Sequence, residues 1–163
     1  MSCTPPGDSL RLAVSAEGLT GTYRLKLVAT EGARAGQSAE GDLRLQPNDS
    51  AMQAVTIGGI RDVAARYVLY GSTSVNLDAV GAVRPGDLES EDVTRPGVLV
   101  IERKGTVTLR LGSEATRRDV ARFDGGYTAL RVGTASAERF AGKWASGVRT
   151  ERSAGYFCAV RVE

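Results

Sequence analysis

The chain has 163 residues, of which 42% are hydrophobic and 25% are charged, and its formal net charge is +2. These values are typical of one globular domain, and they exclude wholesale disorder and a scaffold held together by many disulfides. Because the sequence contains 0 histidines and 2 cysteines, catalysis by Ser-His-Asp or Cys-His groups and the usual zinc sites are excluded as well.

The chain begins with a polar, proline-rich segment, residues 1–8, which we expect to be a flexible tether ahead of a single domain, residues 9–163. Within this tether, Cys3 has three interpretations. It is the lipidation site of an envelope lipoprotein, an incidental residue of an ordinary N-terminus, or one half of a disulfide with Cys158. No apolar run in the sequence is long enough to span a membrane, so a membrane tether would require a lipid on Cys3.

Period-two alternation of apolar and polar residues recurs along the chain and predicts β-strands with one buried and one solvated face. The first three strands are marked by Leu10, Leu12 and Val14, by Tyr23, Leu25 and Leu27, and by Leu43 and Leu45. Further strands are predicted at Arg66 to Ser72, Val98 to Arg103, Thr106 to Leu111, Tyr127 to Val132, Arg139 to Ala145 and Gly155 to Val162. Turn-forming residues separate the strands, which is typical of antiparallel hairpins in a barrel or sandwich.

Three segments depart from this alternation. Gly58 to Ala65 is predicted to form a helical turn, and Ser113 to Phe123 a short helix with Ser113 as its N-cap. Gly81 to Pro96 is predicted to be a long surface loop. Its four carboxylates, Asp87, Glu89, Glu91 and Asp92, lack the spacing of a calcium-binding loop. We therefore favour a solvated loop over a Ca²⁺ site and predict no bound metal.

Strands that alternate in this way must protect the edges of their sheet, and closing the sheet on itself is the most complete protection. We therefore predict an all-β domain with a single antiparallel up-and-down β-barrel of about 8 to 10 strands. The alternative is a β-sandwich, which the same alternation permits.

Two segments of the chain resemble the lipocalin and avidin group, whose barrels open with a Gly-x-Trp strand. They are Gly21-Thr22-Tyr23 near the start and Phe140-Ala141-Gly142-Lys143-Trp144 near the end. The sequence has Tyr23 where lipocalins place their tryptophan, and its own tryptophan lies near the C-terminus. As a whole the chain resembles the small lipocalin-like (calycin-type) lipoproteins of bacterial envelopes. This resemblance implies a lipocalin-like barrel that binds a small molecule in the cell envelope, on its periplasmic face.

The last two strands form a predicted hairpin whose register can be proposed from the sequence. If Gly147 to Ser153 is the connection, Trp144 lies opposite Cys158, and Tyr156 shares the inner face with Phe140 and Trp144. This arrangement predicts either the aromatic wall of a ligand cavity or the central packing of a filled barrel. It also places Cys158 on the buried face as a small hydrophobic residue.

Binding is the role that the sequence favours. We expect a small apolar or amphipathic ligand to lie in the barrel, and the alternative is a protein-interaction or structural module with a filled core, such as an inhibitor or accessory subunit. The expected ligand-contacting residues are Tyr23, Leu25, Tyr67, Leu109, Phe140, Trp144 and Tyr156. Enzymatic activity is uncertain, and we predict no cofactor. We also predict no nucleic-acid partner, because basic and acidic residues alternate without forming a dense basic stripe.

Overall fold

The structure is a computed structural model that describes residues 2–5, 11–12, 15–47, 55–57, 60–62, 65–82, 97–103, 105–112, 121–122, 127–148 and 151–162. The strands of this part of the chain are β1 (Arg11–Leu12), β2 (Gly21–Glu31), β3 (Ser38–Pro47), β4 (Val55–Ile57), β5 (Ile60–Asp62), β6 (Ala65–Thr73), β7 (Gly97–Arg103), β8 (Thr106–Gly112), β9 (Ala121–Arg122), β10 (Tyr127–Ala135), β11 (Arg139–Val148) and β12 (Glu151–Val162). Two 3-10 helices, Ala16–Leu19 and Leu77–Val80, lie before β2 and after β6. Among the described residues, neither helix has the length or hydrophobicity of a membrane-spanning segment.

The architecture is a closed antiparallel barrel of 8 strands, β2, β3, β6, β7, β8, β10, β11 and β12. Each of these barrel strands pairs antiparallel with the barrel strand that follows it along the chain, including β8 with β10. The last strand, β12, pairs with the first, β2, and this pairing closes the barrel. The predicted up-and-down barrel is therefore confirmed, and the sandwich alternative is wrong.

Smaller elements accompany the barrel. The short strands β4, β5 and β9 form a separate sheet, in which β4 pairs antiparallel with β5 and parallel with β9. Strand β1 runs parallel to the last residues of β10, where Arg11 pairs with Thr134. The helical turn predicted at Gly58 to Ala65 is wrong where the structure describes it, because Ile60–Asp62 is a strand. Of the helix predicted at Ser113 to Phe123 the structure describes only Ala121–Arg122, which is a strand, and Ser113 lies outside the described residues. Most of the predicted loop, residues 83–96, lies outside the described residues, as do the four carboxylates that it contains.

Burial in the barrel strands follows the alternation of the sequence. In β2 the side chains of Tyr23, Leu25 and Leu27 are buried while their neighbours face outward, as predicted. Strand β7 is different, because Gly97 to Ile101 is buried without interruption. Leu99 and Ile101 are thus buried on the outer face of the barrel. Burial on both faces matches the continuous apolar run of this strand's sequence.

The two ends of the barrel are covered by the 3-10 helices and their neighbours. At the end where β2 begins, which we call the lower end, Ala16 and Leu19 are buried in the core. At the opposite, upper end, residues 74–82 leave β6 and form what we call the strap. Its side chains at Leu77 and Val80 are buried in the same cluster as the inner wall. Apolar residues of the described chain therefore close both ends of the core.

Candidate functional site

The candidate site is the barrel interior, where the structure brings together five of the predicted ligand-contacting residues. Tyr23, Leu25, Leu109, Phe140 and Trp144 all belong to one core cluster and are each at most 2% exposed. They come from strands β2, β8 and β11, which lie at separate positions around the barrel. The interior is thus lined by the residues that the sequence pattern marked as inward-facing.

The predicted register of the last hairpin is wrong. Trp144 pairs with Gly155 rather than with Cys158, because β11 and β12 continue to pair up to Val148 and Glu151. This shift puts Phe157 inside the barrel, where it is fully buried. The predicted connection, residues 147–153, is mostly strand, and shortening the connection moves every residue of β12 relative to β11.

Tyr156 does not join the interior residues. It is the cross-strand partner of Lys143 on β11 and of Val28 on β2, and its side chain is half-buried on the outer face of the barrel. Its predicted place on the inner face is therefore wrong. Of Tyr67 the structure describes only the backbone, which pairs with Ile101 on β7.

Three aromatic rings fill the lower part of the interior. Tyr23 meets Phe140 edge-to-face, with ring centroids 4.9 Å apart. Phe140 in turn meets Phe157 at 6.0 Å with an interplanar angle of 71°. Edge-to-face contacts of this kind add to the stabilisation that burial of the rings already provides. We call these three residues the aromatic floor.

Arg161, near the end of β12, ties the lower end together. Its Nη1 donates to the carbonyl of Thr20 at 2.7 Å and its Nε donates to the carbonyl of Ala137 at 2.8 Å. Its Nη2 donates to the Tyr23 hydroxyl at 2.9 Å and to the carbonyl of Gly18 at 3.4 Å. The guanidinium group also lies 4.9 Å from the centre of the Tyr23 ring. One side chain therefore joins the first 3-10 helix, the turn after β10 and two barrel strands.

Tyr23 has a shifted pKa because of this location. Burial of the phenol disfavours its charged form and raises the pKa of Tyr23 above the ordinary value of 10.0, while the charge of Arg161 lowers it by a smaller amount. The neutral hydroxyl donates to the carbonyl of Leu19 at 2.7 Å. Tyr23 is therefore a structural hydrogen-bond donor at neutral pH.

Trp144 lies above the aromatic floor on β11 and is 2% exposed. Its indole N–H donates to the carbonyl of Val28 at 3.1 Å. The indole crosses β12 at Gly155, where a Cβ atom would come within 2.9 Å of the indole nitrogen. Glycine at position 155 thus lets the ring lie across the sheet and reach β2.

Three buried hydroxyls lie above Trp144, towards the upper end. Thr128, Ser146 and Ser153 are consecutive cross-strand partners on β10, β11 and β12, and they are 0%, 5% and 7% exposed. We call them the hydroxyl row. The hydroxyl of Thr128 donates to that of Ser146 at 2.8 Å, and the hydroxyl of Ser153 donates to the carbonyl of Gly81 in the strap at 2.8 Å. The row is therefore a polar band on β10, β11 and β12, and Thr73 on β6 is a further buried hydroxyl among the described residues.

The two cysteines form a disulfide between Cys3 and Cys158, whose Cα atoms are 5.7 Å apart. Cys158 lies on the outer face of β12, beside Ala141 on β11 and Lys26 on β2, and it is buried there. Its predicted place on the inner face is wrong. Of the three interpretations of Cys3, the disulfide is the one that the structure contains, and a sulfur in a disulfide does not carry a lipid. The lipidation of Cys3 is corrected accordingly.

Sequence reasoning missed Phe157, Arg161 and the hydroxyl row. Phe157 was missed because of the wrong hairpin register. Arg161 lies on the same face of β12 as Phe157 and Ala159, opposite Tyr23, whereas the predicted inner face was the other one, that of Tyr156 and Cys158. The carbonyls that Arg161 binds come from segments distant in the sequence. The hydroxyl row depends on the pairing of three strands, and its members carry no local motif. A correct register for the last hairpin would have revealed both Phe157 and the alignment of Ser146 with Ser153.

Comparison with known proteins gives structural likeness without a family. No family model matches the chain, and no curated protein matches it. A solved structure of EF1p2_mFAP2b bound to DFHBI is similar over 90% of this chain and 96% of its own, with 9% identity and a TM-score of 0.46. A redesigned β-barrel, mFAP1, bound to DFHBI is similar over 90% of this chain and 97% of its own, with 11% identity and a TM-score of 0.43. What is established for this chain is the closed antiparallel barrel of 8 strands.

Proposed function

We propose that the protein binds a small apolar or amphipathic molecule inside its barrel. The observation that carries this proposal is a closed barrel whose described inner wall is mostly apolar and whose lower end is covered by Arg161 and the first 3-10 helix. A barrel that opens at one end forms a cup, and most binding sites for small molecules are concave and largely apolar. The strap covers the upper end in this structure, so a ligand would enter there by displacing the strap and would lie above the aromatic floor.

A second candidate function is a protein-interaction or structural module with a filled core. The strap favours this alternative, because Leu77 and Val80 are buried in the core cluster at the end where a ligand would enter. In such a protein the barrel serves as a rigid support, and the loops make the functional contacts. The two candidates differ in whether the interior admits a foreign molecule.

The experiment uses Trp144, which is the only tryptophan of the chain. The protein is titrated with N-phenyl-1-naphthylamine, a neutral apolar dye that accepts excitation energy from tryptophan, and the dye emission is recorded while Trp144 is excited. A ligand cup gives saturable transfer at one dye per chain. A filled barrel gives weak transfer that rises without saturation, and this result would reject the ligand-binding proposal. The Trp144→Phe variant is the control for direct excitation of the dye.

We also propose that the protein works in the cell envelope, as the sequence resemblance implied. The support for this proposal is the Cys3–Cys158 disulfide, because such bonds persist in oxidising compartments and are rare in the reducing cytosol. Fractionation of the producing cells, with thiols alkylated at lysis, is the test. We expect the protein in the envelope fraction with no alkylated cysteine. Reduced protein in the cytosolic fraction would contradict the proposal.

A further inference from the structure

We infer that the strap is a gate, which opens as one unit about its attachment at Thr73 and Ser74, and that a ligand takes the place of the strap's inward side chains. This inference rests on the proposed function and specifies how the site is reached and filled. A barrel whose upper end is covered by apolar side chains can then admit a foreign molecule without an open channel.

The start of the strap is fixed to β3 by hydrogen bonds. The amide of Ser74 donates to the carbonyl of Asp42 at 3.0 Å, and the hydroxyl of Ser74 accepts from the amide of Asp42 at 2.8 Å. The hydroxyl of Thr73 donates to the same carbonyl at 2.7 Å. Because Thr73 is also the last residue of β6, a movement that begins after Ser74 leaves the strand pairing of the barrel intact.

The far end of the strap is attached by a side chain of the opposite wall. The hydroxyl of Ser153 on β12 donates to the carbonyl of Gly81 at 2.8 Å, and we call this hydrogen bond the latch. Gly81 is exposed, so water can replace Ser153 as the partner of its carbonyl when the latch breaks. The net stability that such a bond contributes is therefore small. The latch is weaker than the attachment at Ser74, which places the pivot at the start of the strap.

Hydrogen bonds within the strap hold it together as a unit. The amide of Ala79 donates to the carbonyl of Asn76, and the amide of Ala82 donates to the carbonyl of Leu77. The Asn76 side chain accepts from the amide of Asp78 at 3.1 Å. These bonds move with the strap, so opening does not leave the groups that form them without partners.

The strap has one polar and one apolar face. The residues of the polar face are exposed: Ser74, Asn76 and Asp78. Those of the apolar face are at most 6% exposed and belong to the same core cluster as the inner wall: Val75, Leu77, Val80 and Ala82. Apolar contacts are not directional, so an apolar molecule of similar size can replace these side chains against the wall. The space for a ligand is therefore the volume that they vacate.

Hydrogen exchange of the strap amides, measured with and without saturating N-phenyl-1-naphthylamine, tests the gate directly. In the free protein we expect the amides of Ala79 and Ala82 to exchange together, at least about 100-fold faster than the paired amides of β11, because a strap that opens alone needs no global unfolding. The dye should make them exchange at least about tenfold faster still, since it holds the strap open. Strap amides that exchange as slowly as those of β11, or that are slowed or unchanged by the dye, would overturn the gate.

The latch offers a variant that changes the gate without changing the apolar face. Ser153→Ala removes the hydrogen bond to Gly81 and lowers the cost of opening. The dye should then bind about two- to tenfold more tightly, as energy transfer from Trp144 reports, and the strap amides should exchange faster by the same factor.

The matched control for the latch is Ser136→Ala at the lower end, where a serine hydroxyl donates to the carbonyl of Arg139 at 3.3 Å. This control should bind the dye as the unmodified protein does. Weaker or unchanged dye binding by folded Ser153→Ala would contradict the gate.

A covalent lock is the reverse test. A Cβ atom at Gly81 would lie 3.0 Å from the hydroxyl oxygen of Ser153, which is close enough for a disulfide after the double substitution Gly81→Cys and Ser153→Cys. The oxidised variant should bind the dye at least about tenfold more weakly than the unmodified protein, and reductant should restore binding. The unmodified protein with reductant is the control, because reductant also opens the Cys3–Cys158 bond. Since Gly81 has a φ of 74°, which strains a cysteine, the exchange measurement decides the question if this variant does not fold.

The possible results separate the gate from the proposed function. Saturable dye binding with unchanged or slower exchange of the strap, or with full binding by the oxidised lock, would overturn the gate and leave the ligand site in place. Dye that does not bind the unmodified protein would reject the proposed function, and the gate with it. Faster exchange of the strap in the dye complex, together with loss of binding in the lock, supports the inference.

Discussion

Trp144 connects packing and hydrogen bonding within one side chain. Its ring lies across Gly155 and its N–H binds the carbonyl of Val28. Replacing Trp144 with Ala should lower the free energy of unfolding by about 3 to 5 kcal/mol, because a large buried ring is lost and a cavity remains. Chemical denaturation followed by far-ultraviolet circular dichroism measures the change. A change near zero would show that the indole does not support the core.

Arg161 offers a second test at the level of a single side chain. The substitution Arg161→Lys keeps the charge and removes the branched group that reaches Thr20, Ala137 and the Tyr23 hydroxyl together. We expect a loss of about 1 to 3 kcal/mol in unfolding free energy. The matched control is Arg24→Lys, since Arg24 is exposed and its ion pairs with Glu40 and Asp42 are long, at 3.8 and 3.4 Å. The control should change stability by less than about 0.5 kcal/mol, and equal losses in the two variants would contradict the role of Arg161.

Tyr23 predicts a pH dependence of stability at alkaline pH. Because burial raises the pKa of Tyr23, the folded protein holds this proton more tightly than the unfolded chain does. The stability that this proton contributes is fully present below pH 10.0, the pKa of tyrosine in the unfolded chain. It is lost as the pH rises through the raised pKa of Tyr23 in the folded protein. Denaturation midpoints measured from neutral pH to above this value should fall less steeply for Tyr23→Phe than for the unmodified chain. Parallel curves would contradict the assignment.

At the level of elements, the strap depends on one glycine of β3. A Cβ atom at Gly41 would lie 2.6 Å from the backbone nitrogen of Val75 and 2.8 Å from its Cα. Because backbone atoms cannot move aside cheaply, Gly41→Ala should displace the strap and cost about 1 to 3 kcal/mol. Hydrogen exchange of the amides in residues 75–82 should become faster. The exposed Ser38→Ala on the same strand is the control, and unchanged exchange in the Gly41 variant would show that the strap does not rest on β3.

The elements also show what sequence reasoning can and cannot supply. The alternation of Tyr23, Leu25 and Leu27 identifies β2 because period two is a local property of the strand. The register of β12 against β11 is not local, since it depends on where the turn lies between Val148 and Glu151. An error of a few residues there moved Tyr156 to the wrong face and hid Phe157. The short strands β5 and β9 were mistaken for helix because two or three residues carry too little periodicity to identify a strand.

At the scale of the whole molecule, the barrel was predictable because a sheet of long alternating strands must protect its edge strands, and closing the sheet on itself protects them most completely. The candidate site was predictable only in its apolar part. The residues Tyr23, Leu25, Leu109, Phe140 and Trp144 follow from alternation alone. Two other features, the seal that Arg161 forms at the lower end and the hydroxyl row towards the upper end, depend on contacts between segments far apart in the sequence. Alternation contains no information about such contacts.

The disulfide acts on the whole molecule because it joins residues separated by 155 positions. Replacing Cys3 with Ser and Cys158 with Ala should lower the unfolding free energy by about 2 to 5 kcal/mol, chiefly by freeing the unfolded chain. The barrel should remain folded, since its closure depends on the pairing of β12 with β2. Urea denaturation with and without reductant measures the effect. Reductant should affect only the unmodified protein, and equal midpoints in all samples would show that the bond does not stabilise the fold.

The position of this bond also determines how the molecule would respond to mechanical load. A force applied to the chain before Cys3 and after Val162 passes through the covalent bond to Cys158 and then only through the end of β12. The other barrel strands lie outside this path and carry no tension. The elements that resist the pull are the pairing of residues 159–162 with β2, the pairing of residues 159–160 with β11 and the hydrogen bonds of the Arg161 side chain. Stretching the oxidised protein would therefore peel off a few residues, whereas reduction would expose the whole barrel to the force.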